Sequence, residues 1–457
     1  MQAANTCGIW ARLFCACALI ALATLSVLPL HASASDDQYG FQASYSQSAE
    51  VALLAKDDGF EFAWGSAEPK AWDTALLGVR VSGAGKAPWI EVTAGALHLV
   101  QHLDAEAEGL RWLNLTGLHG ALKPGVKISM LTHEIAVEPG SVVLRLFDNR
   151  LDLRKPILIL APHPDDAEIA AFGLYASHPE SVSIVTVTAG NSGDANYETA
   201  FGADLPGQYL FKGYLRAFDS VTVPWQGGVP PGRCFNLGYF DGRLAEMHET
   251  PRESLSEVHG PNRDVAVYRR ANLNYLLPTG SRENSWMHLV QDLTVLVRKL
   301  KPSVIVMPDP RLDTHLDHQY TAVAVVEALR EIKRPMTFLL YTNHAARDVY
   351  PFGPAHSVMS LPPWPGPELL VQRVFSLPVE VDLRRRKLFA LESMHDLRLS
   401  PAEQSTCGAG GPPRLDYPRV DDADYFRRAV RSEETFLAFD REGMRAVVRD
   451  FLALRER

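Results

Sequence analysis

The chain has 457 residues, of which 46% are hydrophobic and 22% are charged, a composition that excludes a largely disordered protein. Its formal net charge of −9 lacks the basic excess that a nucleic-acid or anionic-membrane partner requires, so we expect neither partner. The length exceeds what one hydrophobic core usually serves, which indicates two domains or one large domain with an appended one.

The N-terminus has the three parts of a secretory signal peptide. A short segment with one cation, Arg12, precedes the apolar residues 13–30, and the small residues 32–34 follow. This pattern predicts cleavage after Ala34 and export to the periplasm or the medium. The alternative is an uncleaved anchor, because the apolar stretch is at the lower limit for spanning a bilayer. No later segment is long and apolar enough, so we expect no stable membrane span after cleavage.

Cleavage would leave two cysteines, Cys234 and Cys407. In an oxidising compartment these two could form one disulfide, but they are far apart in the sequence, and two unpaired thiols are an equal alternative. Two cysteines are too few for a metal cluster bound by thiolates, so the sequence excludes such a cluster.

Residues 35–150 contain short alternating segments separated by Gly, Pro and Asp. Period-2 alternation of this kind predicts antiparallel strands in a β-rich, sandwich-like domain. The clearest segments are residues 76–81, 89–92, 126–130 and 142–146. Such a domain can be a carbohydrate-binding module or a structural domain that covers or extends its neighbour, and we favour the structural interpretation.

Residues 151–400 have a different pattern, in which continuous apolar runs alternate with helical spacing. The runs predict strands buried on both faces, and the alternation predicts a Rossmann-like, mostly parallel sheet with helices on both faces. The strands are expected at residues 156–161, 182–187, 304–307 and 337–341, and the helices at 167–176, 286–300 and 320–332. Residues 401–457 are expected to form a helical extension that packs on this domain.

Two clusters of imidazole and carboxylate follow strands of the predicted sheet. His163, Asp165 and Asp166 come after the first strand, and His315 and His318 come a few residues after residues 304–307. Two histidines and a carboxylate form a recognised zinc set that leaves a position for water, although iron or cobalt can bind the same set. Either cluster alone can be explained by helix capping or by surface histidines. Together, after two parallel strands, they indicate one metal site.

These clusters also resemble a known family. Residues 155–400 are similar to the PIG-L/LmbE-like, zinc-dependent N-acetylglucosaminyl deacetylases. The specific motifs are Ala-Pro-His-Pro-Asp-Asp at residues 161–166 and His-Leu-Asp-His at residues 315–318. Weaker similarities are found at residues 188–194, 237–242 and 387–393.

The resemblance implies a role for each matching residue. The zinc ligands would be His163, Asp166 and His318. Asp165 would be the general base, and His315 would stabilise the tetrahedral oxyanion or protonate the leaving amine. Asp317 would orient a histidine next to the metal. Acetate and a free amine would be the products.

The substrate contacts are matched less closely. Many members have Glu where this chain has Ala167, and many have an Arg-x-x-Glu stretch that has no clear counterpart here. Lys212 and Arg216 are candidate sugar-binding cations, and the alternative is that they are solvated charges. Asp241 is a candidate for binding sugar hydroxyls, and the alternative is a turn-forming Asp-Gly pair.

The sequence therefore predicts an exported, metal-dependent hydrolase that removes the acetyl group from an N-acetylated sugar or polysaccharide. One alternative is an amidase that cleaves a different acyl or amide bond on the same scaffold. Another is a glycan-binding protein with a relict metal site, against which the intact catalytic positions argue.

Overall fold

The computed structural model describes residues 36–65, 71–105, 107–193, 203–274, 282–345, 350–397 and 425–455. The predicted signal peptide, residues 1–34, and Cys407 lie outside these ranges, so cleavage and the disulfide stay predictions. The described ranges fall within one compact unit, Ala32–Arg457. None of their helices is long and apolar enough to cross a membrane.

The N-terminal region is β-rich, as the alternating sequence predicts. Its antiparallel sheet runs in the order β6-β5-β8-β3-β2-β10-β4-β7, with β9 beside β4. In β5 the side chains of Ile90, Val92 and Ala94 are buried, and the residues between them are partly exposed. The strands of this region are β1 (Tyr39–Phe41), β2 (Ser46–Lys56), β3 (Gly59–Ala63), β4 (Thr74–Ser82), β5 (Trp89–Ala94), β6 (Leu97–His102), β7 (Gly109–Asn114), β8 (Lys127–His133), β9 (Ala136–Val137) and β10 (Gly140–Phe147).

The sheet turns back on itself. The long strand β2 pairs with β10 along its first part and with β3 at its end, so it joins the two halves. The two outer strands, β6 and β7, meet through the side chain of Gln101. Its Nε2 donates to the carbonyl oxygen of Trp112 at 2.9 Å, and its Oε1 accepts from the backbone N–H of Asn114 at 2.8 Å. The region therefore encloses an apolar core of its own.

The second region is built on a seven-stranded sheet in the order β13-β12-β11-β14-β15-β18-β17. The strands that follow β10 are β11 (Ile157–Ala161), β12 (Val182–Thr188), β13 (Cys234–Tyr239), β14 (Val304–Pro308), β15 (Thr337–Tyr341), β16 (Leu369–Val371), β17 (Arg373–Pro378) and β18 (Glu433–Phe439). The helices are α1 (Asp166–Ser177), α2 (Leu205–Thr222), α3 (Leu244–Glu249), α4 (Ala266–Arg269), α5 (Trp286–Leu300), α6 (Leu316–Ala328), α7 (Val381–Ser393), α8 (Tyr425–Arg428) and α9 (Arg441–Arg455).

The prediction of a parallel sheet holds for one part of this region. The first five strands in the sheet order, β13-β12-β11-β14-β15, pair in parallel. Strand β18 pairs antiparallel with both β15 and β17, so the sheet as a whole is mixed. Leu158 and Leu160 belong to one apolar core with α5 and α6. Ile157 and Ile159, on the opposite face of β11, belong to another core with α1 and α7. Apolar packing on both faces explains the continuous apolar runs in the sequence.

The C-terminal segment differs from the expected helical extension, because β18 inserts into the sheet before α9 begins. A short apolar run such as Phe436–Phe439 does not distinguish a strand from a helix by its periodicity. On the other side of β18, strand β17 also contacts the β-rich region. The backbone N–H of Ser376 donates to Thr74 Oγ1 at 3.0 Å, and Asn114 Nδ2 donates to Ser376 Oγ at 2.8 Å. These bonds attach the β-rich region to the edge of the mixed sheet.

Candidate active site

The two predicted clusters meet at the carboxyl edge of the parallel strands. His163 follows β11, Asp241 follows β13, His318 follows β14 and His344 follows β15. The carboxyl ends of parallel strands lie at one edge of a sheet, which is where α/β proteins bind their ligands. Residues distant in the sequence are therefore brought to one place.

The three predicted metal ligands face one another. Nδ1 of His163 lies 3.2 Å from Nε2 of His318. Oδ2 of Asp166 lies 3.4 Å from the first of these atoms and 3.1 Å from the second. In tetrahedral zinc sites with bonds of about 2.0–2.1 Å, neighbouring ligand atoms are about 3.3–3.4 Å apart. The donor set and its spacing therefore fit a zinc ion, and the roles themselves stay predictions.

Polar partners hold each of the three ligands in place. Asp313 Oδ2 lies 2.9 Å from Nδ1 of His318, and Asn343 Nδ2 donates to Oδ1 of Asp166 at 2.7 Å. Asp317 Oδ2 lies 3.2 Å from Nε2 of His163, on the side of the ring away from the other ligands. Partners of this kind fix the orientation and tautomer of metal-binding side chains. The contact of Asp317 is the one that the resemblance implies.

The site favours positive charge. Burial alone would lower the pKa of His318, but the negative charges of Asp166 and Asp313 raise it to about 10. Burial likewise works against ionisation of Asp313, yet the positive charge of His318 holds the pKa of that carboxyl below its ordinary value. The buried carboxylates thus stabilise a cation at this point, either on an imidazole or on an ion bound there.

Asp165 is the predicted general base. It lines the cavity beside His163, and its backbone has φ 113° and ψ −33°, an uncommon conformation for a residue with a side chain. Burial raises the pKa of Asp165 to about 6, although the positive charge of Arg216 opposes this shift. A carboxylate with a pKa close to neutral is suited to accept and release a proton.

His315 also lines the cavity, with its ring centroid 4.6 Å from that of His163. Burial, followed by the charges of His163 and His318, lowers the pKa of His315 to about 4, so its ring is neutral near pH 7. Its Nδ1 accepts a hydrogen bond from the backbone N–H of Asp317 at 3.2 Å. The neutral ring therefore carries its hydrogen on Nε2, where it can donate to an oxyanion.

The three predicted substrate contacts are also at this site. Lys212 is buried and lines the cavity. Arg216 lines it too, but one of its guanidinium nitrogens lies 3.1 Å from Oδ2 of Asp165. Asp241 Oδ1 lies 3.1 Å from Nε2 of His163, and its Oδ2 accepts from the backbone N–H of Ser192 at 3.2 Å. Arg216 and Asp241 are thus engaged with the predicted catalytic and metal-binding residues.

The cavity has a volume of about 480 Å³ and is lined by both charged and apolar side chains. The apolar and aromatic lining residues are Ile169, Leu397, Tyr425 and Phe426. Two of these residues come from α8, in the segment that we expected only to pack on the domain. Tyr425 also donates to the carbonyl oxygen of Asn343 at 2.6 Å, which ties α8 to the loop after β15.

Sequence reasoning missed several residues of the site. Asn343 and His344 have no motif, and their only signal is their place directly after a predicted strand at residues 337–341. Asp313 lies two residues before the His-Leu-Asp-His motif, and the sequence indicated no role for it. Arg216 and Asp219 have the spacing of an Arg-x-x-Glu stretch, with Asp in place of Glu. Asp219 Oδ1 lies 2.7 Å from Nδ1 of His395.

Solved structures offer distant likenesses. The conserved protein TT1542 from Thermus thermophilus is 17% identical, with a TM-score of 0.26 over 52% of this chain and 77% of that one. GalB, the 4-carboxy-2-hydroxymuconate hydratase from Pseudomonas putida, is 12% identical, with a TM-score of 0.30 over 53% and 79%. Likenesses at such TM-scores support no conclusion about this chain. No protein with a curated description matches it.

The sequence comparison with families is informative. The family model PIG-L, described as GlcNAc-PI de-N-acetylase, matches residues 158–329. This stretch contains both specific motifs and the three residues of the candidate zinc site. The family is one of deacetylase-type hydrolases, and the matched residues run from β11 to the end of α6. Residues 158–329 of this chain form a domain of the PIG-L family.

Proposed function

We propose that this protein is a zinc-dependent hydrolase that removes the acetyl group from an N-acetylglucosamine-type sugar. The observation that carries the proposal is the triangle of His163, Asp166 and His318 beside Asp165, at the cavity of a PIG-L domain. The predicted signal peptide supports an exported substrate, such as a polysaccharide or an envelope glycan. The volume of about 480 Å³ is in the range of small-molecule sites.

Each side chain of the site has a role in this reaction. When bound, zinc polarises the amide carbonyl and makes the attacking water more acidic. Asp165 accepts a proton from that water as its oxygen bonds to the amide carbon. His315 donates from Nε2 to the oxyanion that develops on the carbonyl oxygen. The C–N bond then breaks as the nitrogen takes the proton that Asp165 accepted, and acetate and a free amine leave.

The test is to assay zinc-loaded protein that starts at residue 35 on N-acetyl sugars, chitooligosaccharides and envelope glycans. We expect equal amounts of acetate and free amine. Asp165→Asn is the control, because it keeps the shape of the side chain and removes the base; its rate should fall on the order of 10²–10⁴-fold. Release of a different acid would identify an amidase of another specificity. Binding without any hydrolysis would overturn the proposal.

A further inference from the structure

We propose that Arg216 is a positioning residue, which holds Asp165 in its strained backbone conformation, rather than a substrate contact. The inference rests on the proposed function, in which Asp165 is the base. It replaces the prediction that Arg216 is a sugar-binding cation.

The guanidinium of Arg216 binds both parts of the strained segment. The same nitrogen, Nη2, donates to the carbonyl oxygen of Pro164 at 2.8 Å and to Oδ2 of Asp165 at 3.1 Å. Asp165 has φ 113°. The bond to Pro164 fixes the peptide group that precedes Asp165, and the bond to Oδ2 fixes the Asp165 carboxylate. A strained conformation persists only where its surroundings impose it, and these two bonds do so.

Gly190 determines where the guanidinium can lie. This glycine has φ 65°, and a Cβ there would lie 2.4 Å from Nε of Arg216, so any side chain at this position would have to displace that of Arg216. Its turn is tied to the first motif, because the backbone N–H and the hydroxyl of Thr188 each donate to the carbonyl oxygen of Pro162 at 2.9 Å. The glycine turn after β12 therefore seats Arg216 against the turn that carries Asp165.

The helix that carries Arg216 is anchored one turn later. Asp219 is buried, and it accepts from the backbone N–H of His395 at 2.8 Å and lies 2.7 Å from that residue's Nδ1. This contact attaches α2 to the segment that follows α7. Arg216 is therefore held from both sides, by the glycine turn and by an anchored helix, as a positioning group must be.

Steady-state kinetics separate positioning from substrate binding. For Arg216→Lys and Arg216→Gln we expect kcat to fall on the order of 10–10²-fold, because a misplaced base slows the chemical step, with KM and zinc content unchanged. Lysine keeps the charge but cannot reproduce the geometry of the guanidinium. A rise in KM with kcat unchanged would overturn the inference and make Arg216 a substrate contact.

Gly190→Ala tests the same idea without altering a side chain that lines the cavity. It should displace the guanidinium and lower kcat as Arg216→Lys does. Gly125→Ala is the matched control, because Gly125 has φ 77° and no neighbouring atom within 4 Å, so it introduces the same backbone strain far from the site. If both glycine variants lower kcat equally, the effect is general destabilisation and the inference fails.

A measurement that needs no activity keeps the inference separate from the proposed function. Asp165→Gly and Asp165→Ala both remove the carboxylate that Arg216 binds, but only glycine relieves the backbone strain, so Arg216→Gln should cost less unfolding free energy in the Asp165→Gly background than in the Asp165→Ala background. Equal costs in the two backgrounds would refute the positioning role. Absence of deacetylation by the wild-type protein, with this coupling present, would refute only the proposed function.

Discussion

Nδ1 of His163 lies 3.2 Å from Nε2 of His318, although 155 residues separate them in the chain. The two histidines follow β11 and β14, which are adjacent and parallel in the sheet. Parallel pairing brings the two turns together, and buried carboxylates set the direction in which each imidazole points. The two nitrogens and Oδ2 of Asp166 therefore converge within a single chain.

Removal of one ligand should abolish metal binding. We expect His318→Ala to retain no zinc after dialysis, as measured by elemental analysis. His315→Ala is the matched control, because it removes a neighbouring imidazole outside the triangle, and it should retain zinc and lose activity. Equal zinc content in the two variants would contradict the assignment.

Zinc at about 1,000 times its Kd should raise the unfolding free energy of the wild-type protein by about 4 kcal/mol.

The protein should be more stable with glycine at position 165 than with alanine. At φ 113° a side chain is strained, by roughly 1–3 kcal/mol for such conformations, and glycine is not. We therefore expect urea denaturation to give a higher unfolding free energy for Asp165→Gly than for Asp165→Ala, with both variants inactive. At Arg445, an exposed position inside α9, the order should reverse, because glycine disfavours helix. The same order at both positions would argue against strain at Asp165.

A buried ion pair forms hydrogen bonds with backbone groups on either side of a break in α1. The helix is interrupted at Ala171, whose φ and ψ are −143° and 23°. Lys387 Nζ donates to the carbonyl oxygen of Ile169 at 2.7 Å, and Glu434 Oε1 accepts from the backbone N–H of Gly173 at 2.7 Å. The two side chains lie 3.1 Å apart and are almost fully buried. The pair thus satisfies backbone groups that the break leaves without helical partners.

We expect Glu434→Gln to lower the unfolding free energy by about 3–5 kcal/mol, because it leaves the charge of Lys387 buried without a counterion. Combined with Lys387→Met, the loss should be smaller than the sum of the single losses. Asp450→Asn provides the comparison, since the Arg449–Asp450 pair is exposed and should contribute about 0–1 kcal/mol. A cost for Glu434→Gln no greater than for Asp450→Asn, in urea denaturation, would contradict this account.

Asp37 should give the β-rich region a pH-dependent stability. Burial raises its pKa from 3.8 to about 7, against the opposing charge of Arg111. A raised pKa means that the folded state holds this proton more tightly than the unfolded state. The contribution to stability is therefore fully present below pH 3.8 and is lost as the pH rises through about 7.

Asp37→Asn tests this, because asparagine can still accept from the backbone N–H of Trp364, which donates to Asp37 Oδ1 at 2.9 Å, but cannot ionise. The unfolding free energy of the wild type minus that of the variant should fall as the pH rises from 3.8 to about 7. Thermal or urea denaturation across this range measures the difference. A constant difference would show that Asp37 does not titrate as described.

The β-rich and α/β regions could be predicted from the amino-acid sequence, because alternation and continuous apolar runs report directly on burial. The sequence also predicted that His163, Asp165, Asp166 and His318 come together, since both motifs follow strands whose carboxyl ends must lie at one edge. It did not find β18, because a short apolar run fits a strand or a helix, and pairing with β15 and β17 decides between them.

The contacts that hold these side chains in place could not be predicted from the sequence and are set by the packing of the folded chain. Arg216 could bind a sugar or be a solvated charge, and its bond to Asp165 depends on the space left by Gly190. Tyr425 lines the cavity, and its hydroxyl donates to the carbonyl oxygen of Asn343 in the loop after β15. Such contacts join segments with no fixed spacing in the sequence. Periodicity reports which face of an element is buried, whereas the partner of a polar side chain depends on the packing of the whole chain.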